Sequence, residues 1–174
     1  MNRADASLGY IREIKTDKIC VFISHKKDDQ HIAVQLGKFL TEKLNVDIYL
    51  DVFDVELQEA VSVENDAKIV ASITRGIKLS NILLCIVSDE TKLSWWVPYE
   101  IGIADALEIT IASIKTKQID DFPSFLKTQK TINNLSELIE FILKNKKLGC
   151  FFYSAEEASK IRQNETENLE EYFN

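Results

Sequence analysis

The chain has 174 residues, a length that suits one compact domain rather than two. Its 45% hydrophobic and 28% charged residues are ordinary for a soluble globular protein, so disorder is not the default state. A formal net charge of −7 disfavours non-specific nucleic-acid binding, because nothing chain-wide would neutralise a phosphate backbone; no nucleic-acid partner is expected.

The three cysteines, Cys20, Cys85 and Cys150, have no metal-ligand spacing, and the first two sit inside apolar runs. Reduced thiols and no metal site are the expectation. The segment Met1–Asp17 is polar and lacks the apolar centre of a secretion signal. The longest apolar run, Ile82–Val87, is far too short to cross a bilayer. A cytoplasmic protein without a membrane partner is therefore expected.

After the polar segment 1–17, Lys18–Ser24 (KICVFIS) reads as a buried parallel strand, short and β-branched with a polar end. Ala33, Leu36, Leu40 and Leu44 recur at helical spacing within 28–44. Val46–Leu50 is a second strand, and the acidic stretch Asp51–Glu64, which fits no regular element, reads as a surface loop rather than a metal site, with Val52, Phe53, Val55 and Leu57 pointing to burial or a partner contact. Helical period returns in Asp66–Leu79 through Ile69, Ile73 and Ile77. Asn81–Val87 is the most hydrophobic segment and so the expected central strand. A polar turn, Ser88–Ser94, leads into a helix carrying Glu100, Ile101, Ala104 and Leu107. Ile109–Ile114 is a fourth strand, Lys130–Ile132 a short edge strand, and Leu135–Asn145 a last amphipathic helix. Beyond Gly149 come an aromatic knot, Phe151–Tyr153, and a capping box, Ser154 with Glu157, opening an acidic terminal helix or tail over 149–174.

Strands alternating with helices over 18–148 predict a flavodoxin-like three-layer α/β sandwich, a parallel sheet of four or five strands flanked by helices. Only two prolines, Pro98 and Pro123, and few glycines argue against a chain of hairpins. In such a fold ligands collect at the carboxyl ends of the strands. Those positions are Ser24, His25, Lys26, Lys27 and Asp28; Asp51 and Asp54; Ser88 and Asp89; then Ser94, Trp95, Trp96 and Glu100; and finally Lys115 and Lys117. Lysines, carboxylates and two indoles thus converge on one edge.

The segment Ser94–Glu100 (SWWVPYE) carries the most information. Pro98 fits only a first turn, so a helix starts there. If that helix includes Trp96, it and Glu100, four residues apart, share a face; if Pro98 is its first residue, Trp96 precedes it and the shared face is lost. By default a tryptophan at a helix start packs into a core, and a first-turn glutamate is a solvated stabiliser of the helix end. Two adjacent tryptophans on a polar turn cannot both point inward. For Lys26 and Lys27 the default is a solvated pair, for which phosphate contact is the functional alternative.

At these residues the chain resembles a known family. Ile19–His25 (ICVFISH) is similar to the first signature box of Toll/interleukin-1 receptor (TIR) domains. Asp47–Asp54 (DIYLDVFD) resembles their second strand and following loop; Ile82–Ser88 and Ser94–Gly102 (SWWVPYEIG) resemble the third strand and the segment bearing the functional glutamate. The resemblance spans roughly Lys18 to Asn145 and is strongest to bacterial TIR proteins of antiviral defence, of Thoeris type. It implies cleavage of NAD at the nicotinamide–ribose bond, with NAD as substrate and no cofactor. Glu100 would be catalytic, with Trp96, Ser24, His25, Lys26, Lys27, Asp54 and Ser88 contacting substrate. The product would be ADP-ribose or a cyclic isomer, a signal for a downstream effector, and self-association would control activity. The loop 51–64 departs from the family pattern in having no glycine or proline at its tip. Two alternatives remain at this point: a non-catalytic TIR interaction module, and a nucleoside deoxyribosyltransferase-like enzyme acting on free deoxynucleosides. A receiver domain fits poorly, since Asp28 and Asp29 lie beyond the strand end.

Overall fold

Short apolar runs with polar ends form the strands, in a computed structural model that describes residues 1–4, 18–117, 119, 122–147 and 167–173. They are β1 (Cys20–Ser24), β2 (Asp47–Tyr49), β3 (Ile82–Val87), β4 (Thr110–Lys115) and β5 (Lys130–Ile132). The helices are α1 (Gln30–Glu42), α2 (Val55–Ser62), α3 (Asp66–Lys78), α4 (Trp96–Ala106), α5 (Leu135–Lys147) and α6 (Glu167–Phe173). All strand pairs are parallel, in the order β2-β1-β3-β4-β5, which is the flavodoxin-like order expected. The apolar run Ile82–Val87 is central and wholly buried, and Lys130–Ile132 is the edge strand.

The two-residue period of β3 sorts the core into two layers. Leu84 and Ile86 pack beneath α1, α5 and α6 through Leu36, Leu138 and Phe173. Leu83, Cys85 and Val87 face α2, α3 and α4 through Leu57, Ile73 and Val97. Among the described residues no helix is long and apolar enough to cross a membrane.

The stretch Asp51–Glu64 is not the loop expected. A 3-10 turn, Asp51–Phe53, is followed by α2. Asp54 caps that helix by accepting from Leu57 N at 3.1 Å, and Leu57 and Ala60 turn inward. Val55, Val61 and Val63 stay exposed, which hid the amphipathic period. Glu64, in the left-handed region at φ 52°, makes the turn into α3, whose cap is Asn65.

Two segments outside the expected domain limits pack on the sandwich. Ile48 N donates to Met1 O, Asn2 pairs in parallel with Ile48, and Arg3 Nε meets Asp47 Oδ2 at 3.0 Å, covering the outer edge of β2. At the other end Leu169 and Phe173 of α6 enter the α1/α5 layer, and Lys117 N donates to Tyr172 O. The aromatic knot Phe151–Tyr153 and the Ser154/Glu157 capping box lie outside the described residues.

Gly76 sets the distance between α3 and the sheet. A Cβ there would lie 2.4 Å from the Tyr49 ring, which stacks on Phe22 with centroids 5.4 Å apart. The Tyr49 hydroxyl is tied to Asp54, so the ring has no room to retreat. Gly76→Ala is expected to destabilise by about 1–3 kcal/mol through overpacking, outweighing the smaller helix-propensity gain. Gly102→Ala, with open space around its Cβ, is the control that should stabilise. Urea midpoints read both, with unchanged slopes.

Candidate active site

The order β2-β1-β3 places the point where strand order reverses between β1 and β3. The segments leaving their carboxyl ends build a cleft of about 370 Å³. Its walls are His25, Lys26 and Lys27 after β1, Asp51 and Val52 after β2, Leu57 and Val61 of α2, and Leu93–Trp96 after β3. Glu100 of α4 also lines it.

α4 begins at Trp96, so Pro98 falls in the first turn, where an amide hydrogen would have no helical partner. Ser94 Oγ accepts from Val97 N at 3.2 Å and helps fix the entry. Trp96 is therefore helical and one turn before Glu100, as the shared-face reading requires. Neither tryptophan is a core residue: Trp96 is 40% and Trp95 91% exposed, at the mouth of the cleft. Trp96 meets the Tyr99 ring edge-on at 5.9 Å.

Glu100 is not a solvated helix-end carboxylate; it is 5% exposed. Ser24 Oγ, at the carboxyl end of β1, donates to its Oε2 at 2.6 Å. Burial pushes its pKa up to about 8; the Ser24 hydrogen bond opposes the shift and the Asp51 charge adds to it. A carboxyl with a perturbed affinity for protons, held in a cleft at the switch point, has the marks of a reactive group.

The lysines differ from each other. Lys26 Nζ is bridged to Glu90 at 2.7 Å and Asp28 at 3.0 Å, so its charge is already matched. Lys27 lines the cleft with no carboxylate in ion-pair range among the described residues. It is the better placed of the two for an anionic ligand.

Asp54 and Ser88 are not brought to the cleft. Asp54 is fully buried, accepting from Tyr49 Oη, Leu57 N and Arg75 Nη2. Ser88 donates to Asp29 and caps the 3-10 turn Asp89–Leu93 reciprocally with Thr91. Both hold backbone in place, as short polar residues after strands often do. Ser24 also has no open surface, and its place is behind Glu100. The sequence placed Asp51 on the strand-end edge but not among the substrate contacts, and the α2 wall was missed because the helix itself was missed. An Asp three residues before Leu57, with Ala60 one turn on, was the available signal.

None of the curated proteins compared with the chain matches it. A family match does cover residues 22–120, more than half of the chain, from β1 through the end of β4, and so includes every strand that shapes the cleft. The family it matches is described as Thoeris protein ThsB, TIR-like domain, and the chain belongs to that family.

Proposed function

We propose that the protein cleaves the nicotinamide–ribose bond of NAD, with Glu100 as the catalytic carboxylate. The observation that carries this reading is the buried Glu100 carboxyl, held by Ser24 on the cleft wall one helical turn from Trp96. Loss of nicotinamide leaves an oxocarbenium-like ribose, and a preorganised, buried carboxylate stabilises that developing charge. The volume of about 370 Å³ lies within the range of small-molecule sites. Trp96 offers an aromatic face for a ring of the substrate and Lys27 a cation for its diphosphate. Water as acceptor gives ADP-ribose, and an acceptor within the substrate gives a cyclic isomer; either serves as a signal to a separate effector in antiphage defence. Exposed Leu93 and Trp95 at the cleft mouth support self-association as the means of control.

Incubating concentrated protein with NAD, and resolving nicotinamide and nucleotide products by mass, tests the reading. Release of nicotinamide is expected, and the co-product mass separates hydrolysis from cyclisation. Absence of release at high protein concentration, alone or with an extract of phage-infected cells, overturns it in favour of a non-catalytic interaction module.

A further inference from the structure

His25 leaves β1 at the cleft wall with a side chain only 4% exposed. Its Nδ1 lies 3.3 Å from the Ile23 carbonyl oxygen. A carbonyl only accepts, so in the neutral ring this contact puts the hydrogen on Nδ1 and the lone pair on Nε2. That lone pair is 3.8 Å from Asp51 Oδ1, a carboxylate with which it has no hydrogen bond to make. A proton received at Nε2 would stand toward that carboxylate oxygen. His25 and Asp51 both line the same cleft as Glu100.

The cleavage reaction has one step in need of such a group. The bond between the ribose anomeric carbon and nicotinamide breaks with its electron pair going to the ring nitrogen, so nicotinamide leaves neutral without an acid. An acceptor hydroxyl then donates an oxygen lone pair to the anomeric carbon, and its proton must go elsewhere. We infer that His25 Nε2 takes that proton and is the catalytic base of the capture step, with Asp51 as its positioning partner. The inference rests on the NAD-cleavage reading. The hydroxyl belongs to water or to a ribose of the substrate, and the proton passes from Nε2 to solvent after product departs.

A pyridine base is the discriminating acceptor. It attacks through its ring nitrogen, has no proton to lose, and regenerates a dinucleotide in place of NAD. His25→Gln, assayed with NAD alone and with added 3-acetylpyridine, is expected to lose hydroxyl capture by about 100-fold, in the range of general-base effects, while base exchange stays near the wild-type rate. Asp51→Asn should move the same ratio in the same direction by less, and it decides the matter if His25→Gln fails to fold. Equal loss of both reactions would make His25 a packing or binding residue and overturn the inference, as would no loss of hydroxyl capture. Absence of nicotinamide release by the wild type with either acceptor defeats the NAD reading itself, and the inference with it.

Discussion

Glu100→Gln is expected to reduce nicotinamide release by about 10²–10³-fold or more, the scale seen when a preorganised electrostatic stabiliser is removed. The amide keeps the shape and a hydrogen bond to Ser24 but cannot carry the charge that balances the oxocarbenium ion. The pH dependence should follow the ionisation of the same group. With the free-protein pKa at about 8, kcat/KM is expected to rise about tenfold per pH unit below that value and level off above it. On the proposed reaction, bound NAD would bring a cationic nicotinamide ring toward the carboxyl and favour its ionised form, so the acid limb of kcat should lie at lower pH. Initial rates from pH 5.5 to 9.5 read both limbs. A Glu100→Gln protein as active as the wild type would remove Glu100 from the chemistry.

The same carboxyl links stability to pH. Its folded pKa is raised above the unfolded value of about 4.3, so the folded protein prefers the neutral form. That contribution is whole below pH 4.3 and is lost as pH rises through 8. Wild type should therefore fall behind Glu100→Gln in Tm across this window, with a constant gap above it. A variant less active and more stable at alkaline pH is what an active-site carboxyl, buried at a cost to folding, would give.

Asp54→Ala is expected to destabilise by about 3 kcal/mol, lowering Tm by roughly 6–12 °C for a chain of this size. It removes the cap of α2 and leaves the buried Tyr49 hydroxyl without its acceptor. Arg75 also loses one partner, but its side chain is 35% exposed and still pairs with Glu56 at 2.5 Å, which softens the loss. Asp54→Asn keeps a cap and an acceptor and should lose about 1 kcal/mol. Thermal denaturation ranks the three proteins, and nicotinamide release well below Tm checks the site. A large rise in KM for Asp54→Asn, with Tm unchanged, would restore Asp54 to the substrate contacts.

Asp54 also marks where reading the sequence stops. Strands, sheet order and the start of α4 were legible because β-branched runs, Pro98 and the helical apolar period act locally. The position of Glu100 at the strand-end edge was legible for the same reason. What a strand-end carboxylate or hydroxyl does there was not. Asp54 is claimed by Tyr49 five residues before it and Arg75 twenty-one after, and Ser88 by Asp29 from fifty-nine residues away. Ser24 reads equally well as a ligand contact or as the holder of a glutamate 76 residues further on. The α2 helix escaped because its exposed valines break the pattern that Leu57 and Ala60 would have set.

The position of β1 inside the sheet bears on how the protein is made. β1 leaves the ribosome well before its partner on one side, β3, which lies about sixty residues later in the chain. Ser24 meets Glu100 only after α4 has also emerged and docked. Pairing at such separation makes folding slow, because a long loop must close before the contacts reward it. An incomplete nascent chain therefore holds Ser24 and Glu100 apart, and the floor of the cleft forms only once the central sheet is whole.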